Sequence, residues 1–317
     1  MQKNKRTTLQ DIAEHTGFSV ATVSRVLSGS PRISDDTRRK IIRCADMYNY
    51  RMKCKNVAML TLGYGLYFSN MLTALQKEFL NSGYRAFAVT DDMLDLLDDI
   101  PLHGAVSLLN ENGLEQVWSK RYSCPLVCIN THYNWLDKYF SITVNDKNAV
   151  ESAIHSLYAA GHRRIARITV DFREINQNAI RREQTLIQLS KELGFELITE
   201  SSSGETPFDI VFMLRRLLEK KVTAIICVSE LITPQLKKAA DILQVRIPED
   251  LSIVAWSSGE QDWLCADWEL YMQNYAQIAR QTVEIFSTID KGLQPAKMEE
   301  QIDYIHHPGH SIAPPRL

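Results

Sequence analysis

A chain of 317 residues, 45% apolar and 23% charged, has material for a sizeable core and for more than one domain. Its formal charge of −2 conceals a division: residues 1–56 hold twelve Lys or Arg against five acids, a balance of +7, which leaves −9 for the remainder. No run of about 18 apolar residues occurs, which excludes an ordinary membrane-spanning helix, and the start Met1 to Arg6 lacks a signal-peptide core, so a cytoplasmic protein with no membrane partner is expected.

From the N-terminal end, Thr8 with Asp11 three residues on forms a capping-box start, and Leu9, Ile12 and Ala13 recur at helical spacing. Gly17 follows where a helix must end in a left-handed residue, and Ser19 is a natural N-cap for a second helix carrying Val20 to Leu27. Ala13 is small enough to let the second helix cross closely, and Val23, Val26 and Leu27 supply its buried side. The pair reads as a helix-turn-helix whose second member fits a DNA major groove. Its outward edge, Ser19, Val20, Ala21, Thr22, Ser24 and Arg25, offers short side chains and one arginine to base edges and phosphates. Ser34 caps a third helix that opens with Asp35 and Asp36 and turns Ile41, Ile42 and Ala45 inward. Ser34 and Thr37 are expected on phosphates, and Thr8, Leu9 and Arg32 complete the DNA-contacting set. An ordinary helical hairpin in a larger core is the competing reading, but a basic head on an acidic body favours a polyanionic partner.

Residues 1–50 therefore form the headpiece, 51–56 a short basic linker, and 57–317 the rest. From Val57 onward, short apolar runs alternate with amphipathic stretches, the pattern of a parallel sheet covered by helices on both faces. Strands are expected at Val57–Leu62, Ala86–Val89, Ala105–Leu109, Leu126–Ile129, Ile165–Val170, Glu196–Ile198, Ala224–Val228 and Ser252–Ala255, and this many crossovers call for two sheets. The acids Asp91, Asp92, Asp95, Asp98 and Asp99, interleaved with Leu and Met, read as a short solvated helix over the sheet. His306, His307 and His310 read as a solvated tail segment. The six cysteines (44, 54, 124, 128, 227 and 265) are scattered without a Cys-x-x-Cys pair and read as buried reduced thiols, so neither metal nor cofactor is expected. Neither a Gly-x4-Gly-Lys-[Ser/Thr] loop nor a His-Glu-x-x-His or Gly-x-Ser-x-Gly motif occurs, and an enzyme is not expected.

Four segments carry a family resemblance: TLQDIAEHTGFSVATVSRVLSG from Thr8, RISDDTRRKIIRCADMYNY from Arg32, AAGHRRIARI from Ala159 and IPEDLSIVAW from Ile247. In order and spacing the chain resembles the lactose/galactose repressor (LacI/GalR) family of bacterial transcription regulators over almost its full length. The resemblance implies an all-α helix-turn-helix headpiece followed by an α/β two-lobed periplasmic-binding-protein-like domain, with parallel sheets and helices on both faces. On that map lobe one is about 57–161 plus the helix beginning near Tyr275, and lobe two about 162–273 plus the final strand. It further implies a homodimer on a near-palindromic double-stranded DNA operator, controlled by a small-molecule effector, a sugar or related compound, in a cleft between the lobes. The effector positions carried over are Tyr67, Phe68, Arg182 and Gln273, with Glu230 as a further acceptor. The family's usual Asn-Asp is Ser229-Glu230 here, and its Asp pair is Ser257-Ser258, departures that bear on sugar binding. The alternative is a DNA-binding regulator whose second domain serves dimerisation or a protein co-regulator. Only Arg51 to Asn56 separate the third helix from the first strand, so the family's minor-groove hinge helix is not expected.

Overall fold

The computed structural model describes residues 7–27, 33–48, 50, 55–109, 118, 121–122, 124–131, 139–170, 177–202, 207–259 and 265–316. Arg32 and the linker residues 51–54, with the expectation about a hinge helix, lie outside them.

Three helices make the headpiece: α1 (Leu9–Thr16), α2 (Val20–Leu27) and α3 (Asp35–Met47). The Thr8 hydroxyl accepts from the Asp11 amide at 3.3 Å while Asp11 Oδ2 accepts from the Thr8 amide at 2.7 Å, a closed capping box. Gly17 ends α1 at φ 76°, a left-handed conformation that costs an L side chain strain. Ser19 Oγ then accepts from the Thr22 amide at 3.1 Å and opens α2. The three helices bury Ile12, Ala13, Val23, Val26, Leu27, Ile41, Ile42, Cys44 and Ala45 against one another. Each of the larger aliphatic side chains contributes about 1.5–3 kcal/mol by leaving water, and these few residues hold the domain together.

The whole chain divides into two units. The first runs to Thr143 and takes back Tyr275–Glu300; the second comprises Val144–Asn274 and Gln301–Leu317. This corrects the expected lobe boundary near 161. Helix α5 (Asp146–Ala159) belongs to lobe two, because its stripe Ala149, Val150, Ala153, Ile154 and Leu157 packs with Ile165, Leu186 and Trp256.

Lobe one carries a sheet of β1 (Asn56–Thr61), β2 (Arg85–Thr90), β3 (Gly104–Ser107), β4 (Leu126–Ile129), β5 (Tyr139–Val144) and β11 (Glu299–Ile302), in the order β11-β5-β4-β3-β1-β2. The pairs from β2 through β5 are parallel. Lobe two repeats the plan with β6 (Arg164–Val170), β7 (Glu196–Ser202), β8 (Ala224–Cys227), β9 (Ser252–Ser257), β10 (Glu269–Met272) and β12 (Ile305–His307), in the order β12-β10-β9-β8-β6-β7. Here only β12 is antiparallel to its neighbour. Central strands such as β4 and β8 are buried throughout, as strands covered by helices on both faces must be. In lobe one, α4 (Leu66–Asn81) and α9 (Tyr275–Asp290) cover one face, their Phe79 and Phe286 rings meeting edge to face at 5.4 Å. In lobe two, α6 (Gln177–Leu193), α7 (Pro207–Glu219) and α8 (Thr233–Ile242) join α5 around the sheet.

Two further expectations change. The histidine segment is solvated, as expected, but it is an edge strand and not a loose tail: Ile305–His307 is exposed and pairs with β10, His306 Nε2 lies 2.5 Å from Glu269 Oε1, and the His306 ring stacks on Tyr271 at 4.8 Å. Gly309 passes so close to Trp268 that a Cβ there would lie 2.1 Å from its carbonyl carbon, which holds the segment against the sheet edge. The acidic stretch Asp91–Asp99 is 3-10 helical on either side of a kink at Met93 and is anchored by the fully buried Leu97, as the Leu and Met pattern predicts. Three of its five acids are engaged: Arg121 bridges Asp95 and Asp98 at 2.9 and 2.7 Å, and Asp99 pairs with Arg39 of the headpiece at 2.8 Å.

Candidate DNA-reading edge and effector cluster

On the headpiece, Ser19, Val20, Ala21, Ser24 and Arg25 are exposed along one side of α2, while Val23, Val26 and Leu27 are buried on the other. Val20 in particular, an apolar side chain at the helix start, leaves 38% of its surface in water. Thr22 is half-buried, and its hydroxyl shares a 2.9 Å hydrogen bond with Ser19. Ser34 donates to the Thr37 hydroxyl at 2.9 Å, so the third helix presents a paired hydroxyl edge like the second. Thr8 is occupied by its own capping box, and Leu9 is half-buried against the headpiece core.

Lobe two gathers a polar cluster around Arg182. Its Nε donates to Asp146 Oδ1 at 2.7 Å, its Nη1 to the Val228 carbonyl at 2.6 Å, and its Nη2 to the Tyr304 hydroxyl. Tyr304 passes a hydrogen bond on to Asp146 at 2.8 Å, and Arg181 Nε reaches the second Asp146 oxygen at 3.1 Å. Arginine and aspartate are both buried, so removing either leaves the other without its partner in a poorly solvated site. Burial works against the Arg182 charge, but Tyr304, Asp146 and Glu230 outweigh it and hold the guanidinium more firmly protonated than usual. Burial likewise pushes the Tyr304 phenol well above its ordinary value, keeping it a donor. Glu230 Oε1 lies 4.0 Å from Arg182 Nη2, buried and without a hydrogen-bond partner. The Arg182 guanidinium carbon also stands 5.4 Å from the Trp256 ring centroid. Ser229, Ser257, Ser258 and Gln273 are all buried in the same lobe.

In lobe one, Tyr67 and Phe68 are half-buried and meet edge to face at 5.1 Å; the Tyr67 hydroxyl accepts from Asn130 Nδ2 at 2.8 Å. The structure brings Arg182 and Glu230, each named separately from the sequence, to 4.0 Å, and it adds Asp146 and Tyr304, which sequence reading missed and which bind Arg182 from 36 and 122 positions away. The sequence offers a signal for Asp146 alone, as an acid directly after the helix-capping Asn145.

Residues 8–52 match the model of bacterial regulatory proteins of the lacI family, and residues 154–288 that of a periplasmic binding protein-like domain. Among curated relatives, a probable HTH-type transcriptional repressor, ExuR of Bacillus subtilis (strain 168), is 24% identical over 274 residues, covering 78% of this chain and 81% of the relative. The ribose operon repressor of Haemophilus influenzae (strain ATCC 51907 / DSM 11121 / KW20 / Rd) is 24% identical over 281 residues, covering 80% and 82%. Among solved structures, the Lac repressor dimer bound to operator and the anti-inducer ONPF superposes with a TM-score of 0.69 at 16% identity, covering 97% of this chain and 99% of that one. The complex of the transcriptional regulator CelR with cellobiose gives 0.67 at 18% identity, covering 96% and 100%. The chain thus joins a helix-turn-helix domain of the lacI-family type to a periplasmic-binding-protein-like domain, and transcriptional regulators of this two-domain kind are among its relatives.

Proposed function

We propose that this protein is a sequence-specific transcriptional repressor, not an enzyme, that binds a near-palindromic operator as a homodimer through the exposed edge of α2. The observation that carries this reading is the α2 geometry itself: a Ser19-capped helix start with Val20, Ala21, Ser24 and Arg25 outward and a packed core behind them. Val20 and Ala21 contact base edges and Arg25 a guanine, while Ser19, Thr22, Ser34 and Thr37 hold phosphates; Ser24, Thr8 and Leu9 flank them, and Arg32 is a further DNA contact of this reading. Two-fold symmetry places the two headpieces in successive major grooves. Selection of duplexes from a random library by the full chain tests this: a near-palindrome is enriched, and Arg25→Ala costs about 1–3 kcal/mol at one base per half-site. No enrichment at any ionic strength, or an equal loss on random DNA, refutes it.

In this reading the effector residues are Arg182, Glu230 and Gln273 on lobe two and Tyr67 and Phe68 on lobe one. A buried Glu230 oxygen near Arg182 but without a hydrogen-bond partner favours a ligand that brings a hydroxyl or amine donor, since burying such an acceptor without a donor costs free energy. Relatives named as a ribose operon repressor and solved with cellobiose support a carbohydrate. One observation favours the second reading, in which this domain serves dimerisation or a co-regulator protein: three nitrogens of Arg182 are already bound within the lobe. Calorimetric titration with sugars and sugar phosphates separates the two, because saturable binding lost in Glu230→Ala requires the first.

A further inference from the structure

The headpiece bears on lobe one at a place outside its DNA-reading edge. On α3, Arg39 and Arg43 stand one turn apart on the side opposite Ile41 and Ala45, which the headpiece core buries. Arg39 forms a two-point pair with Asp99: its Nε donates to Oδ1 at 2.8 Å and its Nη2 to Oδ2 at 3.3 Å. Arg43 lends its charge to the neighbouring Asp98, which Arg121 and the Tyr122 hydroxyl hold at 2.7 and 2.8 Å. The acceptor side is rigid, because Leu97 is fully buried in the lobe-one core, Leu94 packs against it, and the Ile100 amide closes the helix on the Leu97 carbonyl.

A second anchor sits where the linker enters the sheet. Lys55 Nζ stands 4.7 Å from the Tyr84 ring centroid, the Lys55 carbonyl accepts from the Arg85 amide at 2.8 Å, and Asn56 Nδ2 donates to the Pro101 carbonyl at 3.0 Å. Between the headpiece residue Tyr50 and this anchor the sequence has only residues 51–54. So short a span keeps Arg39 at high local concentration near Asp99, and an ion pair that would be weak between separate molecules becomes effective within one.

We propose that the acidic 3-10 helix Asp91–Asp99 is a docking face for the headpiece, and that the Arg39–Asp99 clasp, acting with Lys55 seated on Tyr84, holds the third helix in a set pose on lobe one. The contact uses the outer side of α3 and leaves Val20 and Ala21 exposed, so it orders the headpiece before DNA arrives. Part of the ordering cost of operator binding is then met in advance. Because both partners are partly exposed, at 49% and 34%, salt screens the clasp and loosens the pose.

The test uses the full chain, first without DNA, so that it stands apart from the DNA-binding reading. Asp99→Asn speeds trypsin cleavage after Arg51 and Lys53 about two- to five-fold, the range set by a surface ion pair, and the charge swap Arg39→Asp with Asp99→Arg restores the wild-type rate. Unchanged cleavage in Asp99→Asn, or a swap that fails to restore it, overturns the clasp. On the duplex recovered by library selection, Asp99→Asn weakens binding by a similar factor of about two to five. A gain in affinity there overturns the pre-ordering role and makes the contact a brake on DNA binding.

Discussion

Replacing Arg182 by Met tests the charge economy of lobe two. Breaking a buried ion pair from one side costs about 3–5 kcal/mol because the abandoned charge stays buried. Here Asp146 keeps two of its donors, Arg181 at 3.1 Å and Tyr304 at 2.8 Å, which places the loss at the lower end, about 3 kcal/mol. The Val228 carbonyl loses a donor as well, worth about 1 kcal/mol, while the methionine stem retains part of the contact with Trp256. With a urea slope of about 2 kcal/mol per molar, the midpoint of lobe two falls by about 1.5–2 M. Pairing Arg182→Met with Asp146→Leu removes both charges, so the double variant is expected to lose less than the sum of the singles by about 2 kcal/mol. Tryptophan fluorescence and far-ultraviolet circular dichroism followed together in urea read both quantities and check that one transition is being measured. A midpoint shift below about 0.3 M for the single variant, or additive losses in the double, refutes the claim that these groups depend on one another.

Three other outcomes follow from particular contacts. Ser19→Ala removes the acceptor of the Thr22 amide and costs about 1 kcal/mol, read as faster amide exchange in α2 with an unchanged urea midpoint for the lobes. At Gly104 an added Cβ would lie 2.3 Å from Phe286 Cε1 and 2.9 Å from the Pro125 carbonyl, so Gly104→Ala lowers stability by about 1–3 kcal/mol; Phe286→Leu in the same chain recovers part of it, measured by thermal unfolding. His162 is buried between Thr223, Ser252 and the Ala313 carbonyl, and burial depresses its pKa below 6.5. The unfolded chain therefore takes up a proton that the folded chain resists, and stability falls as pH drops below 6.5. His162→Asn flattens that slope in urea titrations between about pH 6.5 and 5, and an unchanged slope counts against this origin.

The headpiece was legible because its signals are local. Thr8 with Asp11, Gly17, and Ser19 with Thr22 settle their roles within a few positions, and the structure closes each of those contacts as the spacing predicts. Lobe two was legible in four of its six strands but not in its electrostatics. Nothing near Arg182 in the chain says that Asp146 and Tyr304 will meet it, since the partners are set by how α5 and the segment after β11 lie against α6. Strand β5 escaped for another reason: Ser141 and Thr143 break its apolar run, although both are buried, and Ser141 donates to the Thr131 carbonyl at 2.6 Å. The misplaced boundary at 161 has a similar cause. A stripe such as Ala149, Val150, Ala153, Ile154 and Leu157 tells which face of a helix is covered, but not which sheet covers it.

Trp256 has no exposed surface, stacks on Tyr271 with ring centroids 5.2 Å apart, and has the Arg182 guanidinium 5.4 Å from its own centroid. A cation that close to an indole shifts its excited-state energy, so the colour of this residue's emission reports where the arginine stands. The protein thus contains its own optical gauge, and a titrant that disturbs the arginine becomes visible without a dye.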